Sequence, residues 1–229
     1  MIIRMDKVSR IYISGTRKVH ALRDFSLEVE AGEFSVLAGP SGSGKTTVLN
    51  LVGCLDQPSA GRIEVAGEEV SLRSVTELAS FRLAHIGFIF QSYNLIPVLS
   101  ARENAEFTLM LQGVPKARRR ERVRELFLRL GIGGLEDRRP GDLSGGQQQR
   151  VAIARAMAAK PALILADEPT ANLDSKTSEG LLELMRELNE EQGVSFLFSS
   201  HDPLIISRGR RVIELKDGRL LSDSAGSPR

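Results

Sequence analysis

The 229-residue sequence predicts an α/β fold: a mostly parallel sheet with an antiparallel β subdomain and an inserted helical lobe. Three observations predict it. The runs "EFSVLAG", "ALILAD" and "VSFLFSS" are short, nearly continuous apolar stretches, the pattern of strands buried on both faces. The segments "RIYI", "FSLEVE" and "GRIEVAGEEV" are rich in β-formers and partly alternating, as strands with one exposed face are. Between positions 92 and 160 the apolar period shifts to that of helices.

Taken in order, residues 1–40 read as strands, the last of them feeding a helix that begins near Lys45. "GRIEVAGEEV" predicts a hairpin turning at Ala66-Gly67. Ser74 with Glu77, and Ser100 with Glu103, have capping-box spacing and mark two helix starts. Pro115 suits the first turn of a helix and Gly131 its stop. Between them Val123, Leu126, Phe127 and Leu130 share one helical face. Leu181, Leu182, Met185 and Leu188 mark a further amphipathic helix, and "RVIELKDGRLL" a hairpin at Asp217-Gly218. The tail "SDSAGSPR" is expected to fray. One domain over 1–229, with a lobe at about 92–160, accounts for the whole pattern.

Composition bounds the partners. A net charge of +2 does not call for nucleic acid or an anionic membrane. The basic run Arg118-Arg119-Arg120, diluted by Glu121 and Glu125, reads as the solvated face of a helix that buries Val123 and Leu126. A single cysteine, Cys54, permits no intrachain disulfide and no multi-cysteine zinc site, and its apolar surroundings suit a buried small hydrophobe. "MIIRMDKVSR" has no apolar core of a signal peptide, and no run has membrane-span length. Work at a membrane would go through a partner.

The chemistry is carried by short motifs. Gly39, Gly44, Lys45 and Thr46 satisfy G-x-x-x-x-G-K-[ST] after an apolar strand and before the helical "TTVLNLVGCL". In "GPSGSGKTT" (Gly39, Pro40, Ser41, Gly42, Ser43, Gly44, Lys45, Thr46, Thr47) the glycines let backbone N–H groups curl toward phosphate oxygens. The helix dipole adds to this. Lys45 supplies a positive charge, and the Thr46 hydroxyl is a ligand for Mg²⁺. A glycine-rich turn that binds nothing would not need this strand–loop–helix context. "ALILADEPT" ends a strand in Asp167 and Glu168, which alternation places on opposite faces. Asp167 then belongs to the Mg²⁺ shell, and Glu168 to a water attacking the γ-phosphate. In "LSGGQQQR", Ser144, Gly145 and Gly146 form a second bare helix tip, an anion site in its own right.

In that order "GPSGSGKTT", "LSGGQQQR" and "LILADEPT" resemble the nucleotide-binding subunit of an ABC transporter, over nearly the whole chain. The resemblance implies a P-loop NTPase core and ATP hydrolysis with ATP and Mg²⁺. It implies a head-to-tail homodimer in which the P-loop of one copy and the signature of the other, Ser144 to Gln147, sandwich each ATP. It makes Gln91 in "GFIFQSYNL" the Q-loop glutamine, touching Mg²⁺ and water. His201 becomes the switch histidine at the γ-phosphate, Asp174 in "ANLDS" the D-loop aspartate reaching across the dimer, and Tyr12 the aromatic on adenine. Alone, His201 would read as a surface histidine and Tyr12 as a strand tyrosine. "FLFSSHD" departs from the family pattern in having serines where threonine is common.

A finer resemblance is to the lipoprotein-release and macrolide-export ATPases, with the cell-division-type ATPase close by. It implies a separate permease docked near Gln91 to Pro97 and a cytoplasmic location at the inner face of the membrane. No nucleic acid and no direct membrane insertion are expected. The alternatives are a cell-division-type ABC ATPase that regulates a permease-like partner without transport, and a soluble non-transport ABC ATPase, against which stands the lack of a coiled-coil, zinc-module or second-cassette insertion.

Overall fold

The computed structural model describes residues 1–15 and 17–224. Two sheets share the molecule. The smaller has the order β2-β1-β4-β5 and is antiparallel, built from β1 (Ile3–Ser14), β2 (Arg17–Val29), β4 (Ala60–Val65) and β5 (Glu68–Glu69). The larger has the order β10-β9-β3-β8-β7-β6. Its strands are β3 (Phe34–Ala38), β6 (Ile86–Phe90), β7 (Leu163–Asp167), β8 (Ser195–Ser200), β9 (Arg211–Lys216) and β10 (Arg219–Asp223). All pair in parallel except β9 with β10. This is the mixed architecture expected.

The apolar runs decide what the larger sheet covers. Every residue of β3 and β8 is buried. Alternation sends Leu163, Leu165 and Leu197 toward one core, shared with α1 (Lys45–Val52) and β1. It sends Ile164, Ala166, Phe196 and Phe198 toward the other, shared chiefly with four of the helices. Those are α3 (Ala101–Leu111), α4 (Lys116–Arg129), α5 (Gly145–Ala158) and α6 (Ser175–Gln192). Val123, Leu126, Phe127 and Leu130 are all buried in this second core, as their spacing required. Phe34 packs edge-on to Phe198, with ring centroids 4.8 Å apart. Truncating Phe198 to alanine would cost about 3–5 kcal/mol.

Local signals hold with small corrections. Ser74 and Ser100 cap α2 (Val75–His85) and α3 through complete capping boxes. Ala66 and Gly67 turn the β4–β5 hairpin with φ of 49° and 80°. Pro115 is the N-cap of α4, one residue before the first turn, and Gly131 lies just past its end with φ 65°. Cys54 is buried as expected but lies beyond the end of α1, and burial pushes its thiol up to about 11. The run at 118–120 is not one solvated face. Arg118 and Arg120 are exposed, but Arg119 pairs with the buried Glu106 and donates to the Val114 carbonyl. In the tail, Ser222 and Asp223 are paired in β10 rather than frayed, and positions 225–229 lie outside the described residues. Among the described residues no helix is long and apolar enough to cross a membrane.

Candidate functional site

Ligands of open α/β sheets sit beyond the carboxyl ends of the strands, and the motifs converge there. β3 leads into the glycine loop, β6 into Gln91, β7 into Asp167-Glu168 and β8 into His201. Pro40, Ser41, Thr46, Gln91, Asp167, Glu168 and His201 line one cleft of ≈ 400 Å³.

The glycine loop holds its shape for steric reasons. Gly39 and Gly44 have φ of 142° and 109°, the left-handed side that a Cβ disfavours. A Cβ on Gly39 would stand 2.3 Å from the Leu215 carbonyl oxygen, and one on Gly44 2.8 Å from that of Ala21. Gly44 is the N-cap of α1 and offers no side-chain cap, so the first N–H groups of the helix face the loop with no side chain bonded to them. Lys45 is buried and its Nζ donates to the carbonyls of Gly39 (2.7 Å) and Pro40 (3.0 Å). Two of the three ammonium donors thus brace the loop. Ser43 Oγ is buried without a hydrogen-bond partner. Thr47 is half-buried in the first turn of α1.

Asp167 is the last residue of β7, and strand alternation aims it at the α1 side. There Thr46 Oγ1 donates to its carboxylate at 3.2 Å, and Ser199 Oγ donates at 2.6 Å. Glu168 does not take the opposite face. The strand has ended, and Glu168 turns to φ 44°, a left-handed conformation costing about 1–2 kcal/mol. Its N–H is held by the Ser199 carbonyl and hydroxyl, both at 3.2 Å. This turn brings both acids into one cleft, correcting the alternation argument. Glu168 Oε1 lies 2.8 Å from His201 Nδ1. With the carboxylate ionised, Nδ1–H donates and Nε2 remains. Ser199 was missed in the sequence. The serines of "FLFSSHD" read there only as departures from the family pattern, yet the Ser199 hydroxyl fixes both acids.

The tip of α5 differs from the bare site expected. Ser144 Oγ accepts from Gln147 N (3.3 Å), and Gln147 Oε1 accepts from Ser144 N (2.9 Å). That is a full capping box. The signal was legible: Ser144-x-x-Gln147 has the spacing already read at Ser74 and Ser100. Nor are the glycines bare toward open space. A Cβ on Gly145 would meet Tyr93 Oη at 2.8 Å, and one on Gly146 would meet Thr177 Cγ2 at 2.8 Å.

Around Gln91 the backbone is strained. Tyr93 and Asn94 have φ of 61° and 50°, and Asn172 Nδ2 donates to the Gln91 carbonyl at 3.0 Å. Asp174 caps α6, its carboxylate accepting from Thr177 N (3.0 Å) and Thr177 Oγ1 (2.6 Å). The Thr177 hydroxyl and amide hold this carboxyl below its ordinary range. Tyr12, on β1, donates its hydroxyl to Asp56 at 2.8 Å, and the Arg10 guanidinium lies 4.6 Å over its ring centroid. Arg10 is itself bidentate to Asp56. Asp174, Tyr12 and Ser144 to Gln147 are not among the residues lining the cleft that holds Asp167 and Glu168.

The chain is similar to known proteins over nearly its whole length. The family model for ABC transporters matches residues 22–171. An uncharacterized ABC transporter ATP-binding protein of Thermotoga maritima is 48% identical, covering 96% of this chain and 93% of its own. The macrolide export ATP-binding/permease protein MacB of Chromobacterium violaceum is 46% identical over 99% of this chain, which spans 35% of that protein's length. Among solved structures, the ATP-binding cassette MJ0796, a dimer in a post-hydrolysis state with ADP and Pi, superposes with a TM-score of 0.90. It is 40% identical, and the match covers 97% of each chain. The chain belongs to the ABC transporter ATPase family, which binds and hydrolyses ATP.

Proposed function

We propose that this ABC ATPase drives a separate membrane permease of the lipoprotein-release or macrolide-export type, by closing two copies of itself around ATP. The observation that carries the reading is the convergence of Thr46, Asp167, Glu168, His201 and Gln91 on one cleft, beside the loop that Lys45 braces.

Each side chain has a task its geometry supports. Backbone N–H groups of Gly42 to Thr47 and the Lys45 ammonium bind the phosphates. Thr46 Oγ1 and the Asp167 carboxylate lie 3.2 Å apart. Neighbouring ligands of an octahedral ion with bonds of 2.0–2.1 Å are separated by ~3 Å, so this oxygen pair fits Mg²⁺. Thr46, Asp167 and Gln91 would hold that ion, which when bound neutralises charge on the β- and γ-phosphate oxygens. Glu168 accepts the proton of the attacking water, and the bond to His201 Nδ1 sets the angle of its carboxylate. With a proton on both ring nitrogens, His201 donates Nδ1–H to Glu168 and Nε2–H to a γ-phosphate oxygen. Tyr12 stacks the adenine on the face that Arg10 does not cover.

The tip of α5 supplies the other half of each site. Ser144 Oγ accepts from Gln147 but keeps its own proton to donate to a phosphate oxygen, beside the N–H groups of Gly145 and Gly146. Asp174 acts at the dimer seam through the loop it closes. The dimeric state of MJ0796 and the kinship with MacB proteins support this reading. The permease docks near Gln91 to Pro97. Differential affinity of ATP for the closed pair is what moves it.

Glu168→Gln tests the proposal. It removes the base while keeping the shape, so ATP with Mg²⁺ should yield a long-lived dimer in light scattering. A variant that binds ATP and stays monomeric would defeat the sandwich.

A further inference from the structure

Tyr93 meets α5 at two places. Its backbone carbonyl accepts from Arg155 Nη2 at 2.8 Å, and the next carbonyl, Asn94, accepts from Arg155 Nη1 at 2.5 Å. At its other end the Tyr93 hydroxyl stands 2.8 Å from where a Cβ of Gly145 would fall. Gly145 and Arg155 are ten residues apart on one helix, about 15 Å of axial rise. Arginine on a helix leans back toward the N-terminus. The reach of the two side chains therefore bridges most of that length. The carbonyls gripped belong to two consecutive left-handed residues, which a planar, five-donor fork is suited to hold. Desolvation by burial lowers the Arg155 pKa, and among the described residues its guanidinium donates to these carbonyls rather than to a carboxylate. α5 also lies close on the sheet: a Cβ on Gly87 of β6 would meet the Ala156 carbonyl at 2.7 Å.

We infer that Tyr93 and Arg155 form a strut that makes the segment after Gln91 and the tip of α5 move as one body. Both are positioning residues: neither lines the cleft of Asp167 and Glu168. The inference rests on the reading of Ser144–Gly146 as a half-site completed by a second copy. A load applied by a permease at Gln91 to Pro97 would then reach the partner's ATP through Tyr93, without passing through the P-loop. The strut should govern closure of the dimer and leave nucleotide binding by one copy untouched.

In the Glu168→Gln background, Arg155→Met and Tyr93→Leu should each weaken ATP-driven dimerisation by about tenfold, within the usual range of intersite coupling. Fluorescent ATP analogue affinity of the monomer should stay within about twofold of the parent, the two measurements being separable by protein concentration. Arg155→Lys, which keeps charge but loses the fork, should fall between. Hydrogen exchange on the otherwise wild-type chain reads the strut directly. Arg155→Met should raise exchange at 91–97 and at 144–147 together. Exchange rising at 91–97 alone, or monomer affinity falling along with dimerisation, would overturn the strut. So would dimerisation at parental strength in both variants. A Glu168→Gln parent that never dimerises would sink the half-site reading instead, and the exchange result would still decide the strut.

Discussion

Two glycine-rich helix tips look alike in the sequence and are built on different physics. At α1 the glycines are needed by the backbone. Gly39 and Gly44 are left-handed, and the atoms that would meet a Cβ are main-chain carbonyls, which cannot swing away. At α5 the glycines sit within the helix, and the atoms that crowd them are the ends of two side chains, Tyr93 Oη and Thr177 Cγ2. The caps differ in the same sense. α1 starts on a residue with no side chain, while α5 starts on a reciprocal Ser144–Gln147 box. The first tip is a rigid cradle in which no side chain caps the helix. The second is an end whose Ser144 and Gln147 N–H groups are satisfied by its own cap, leaving those of Gly145 and Gly146.

Substitutions can break that contrast. The largest effect belongs to Gly39→Ala. Strain at φ 142° and a fixed carbonyl at 2.3 Å together cost about 3–6 kcal/mol. Calorimetry should show Tm lower by about 10 °C or more, with nucleotide binding lost. A Tm change under a degree would show the cradle to be soft. Ser144→Ala comes next. Losing one cap costs about 1 kcal/mol, hence about 2–4 °C of Tm. ATP affinity of the monomer should not change, and a large loss there would mean that the two tips are not independent.

Gly145→Ala should be milder still in Tm. Its Cβ need only displace the Tyr93 hydroxyl, and alanine's better helix propensity, up to about 1 kcal/mol, offsets part of that cost. Its signature is a weakened ATP-driven dimer at nearly unchanged Tm. Asp174→Asn is the smallest and tests the shelf under Gly146. The Asp174 carboxyl is held below its ordinary value by Thr177, so its contribution is fully present above the unfolded value of about 3.9. It is lost as pH falls through the lower folded value. The two acid-unfolding curves should therefore differ at neutral pH and merge at the acid end. Curves that stayed parallel down to pH 2 would argue that the cap is not ionised.

Much of the molecule was legible from local rules because those rules act locally. Buried strands read as apolar runs, and α2 and α3 announced themselves through Ser74 and Ser100. What escaped were contacts between distant segments. Ser199 gains its meaning because β8 pairs beside β7 in a register that sets it against Asp167. Arg155 reads as one more polar residue on an alanine-rich helix until the fold lays Tyr93 and Asn94 beside it. Alternation misplaced Glu168 because a period of two applies only while the strand lasts.

By itself, the sequence determined that there is a phosphate loop on a strand–helix junction, an acid pair at a strand end and a helix opening on Ser-Gly-Gly. Those are matters of spacing and residue type, and a chain carries them before it folds. Which way Glu168 turns, what fills the space beside Gly145 and which hydroxyl pins Asp167 were decided only in the tertiary structure. Each depends on where a second segment, 31 to 52 residues away, stops in space. No local preference encodes that distance.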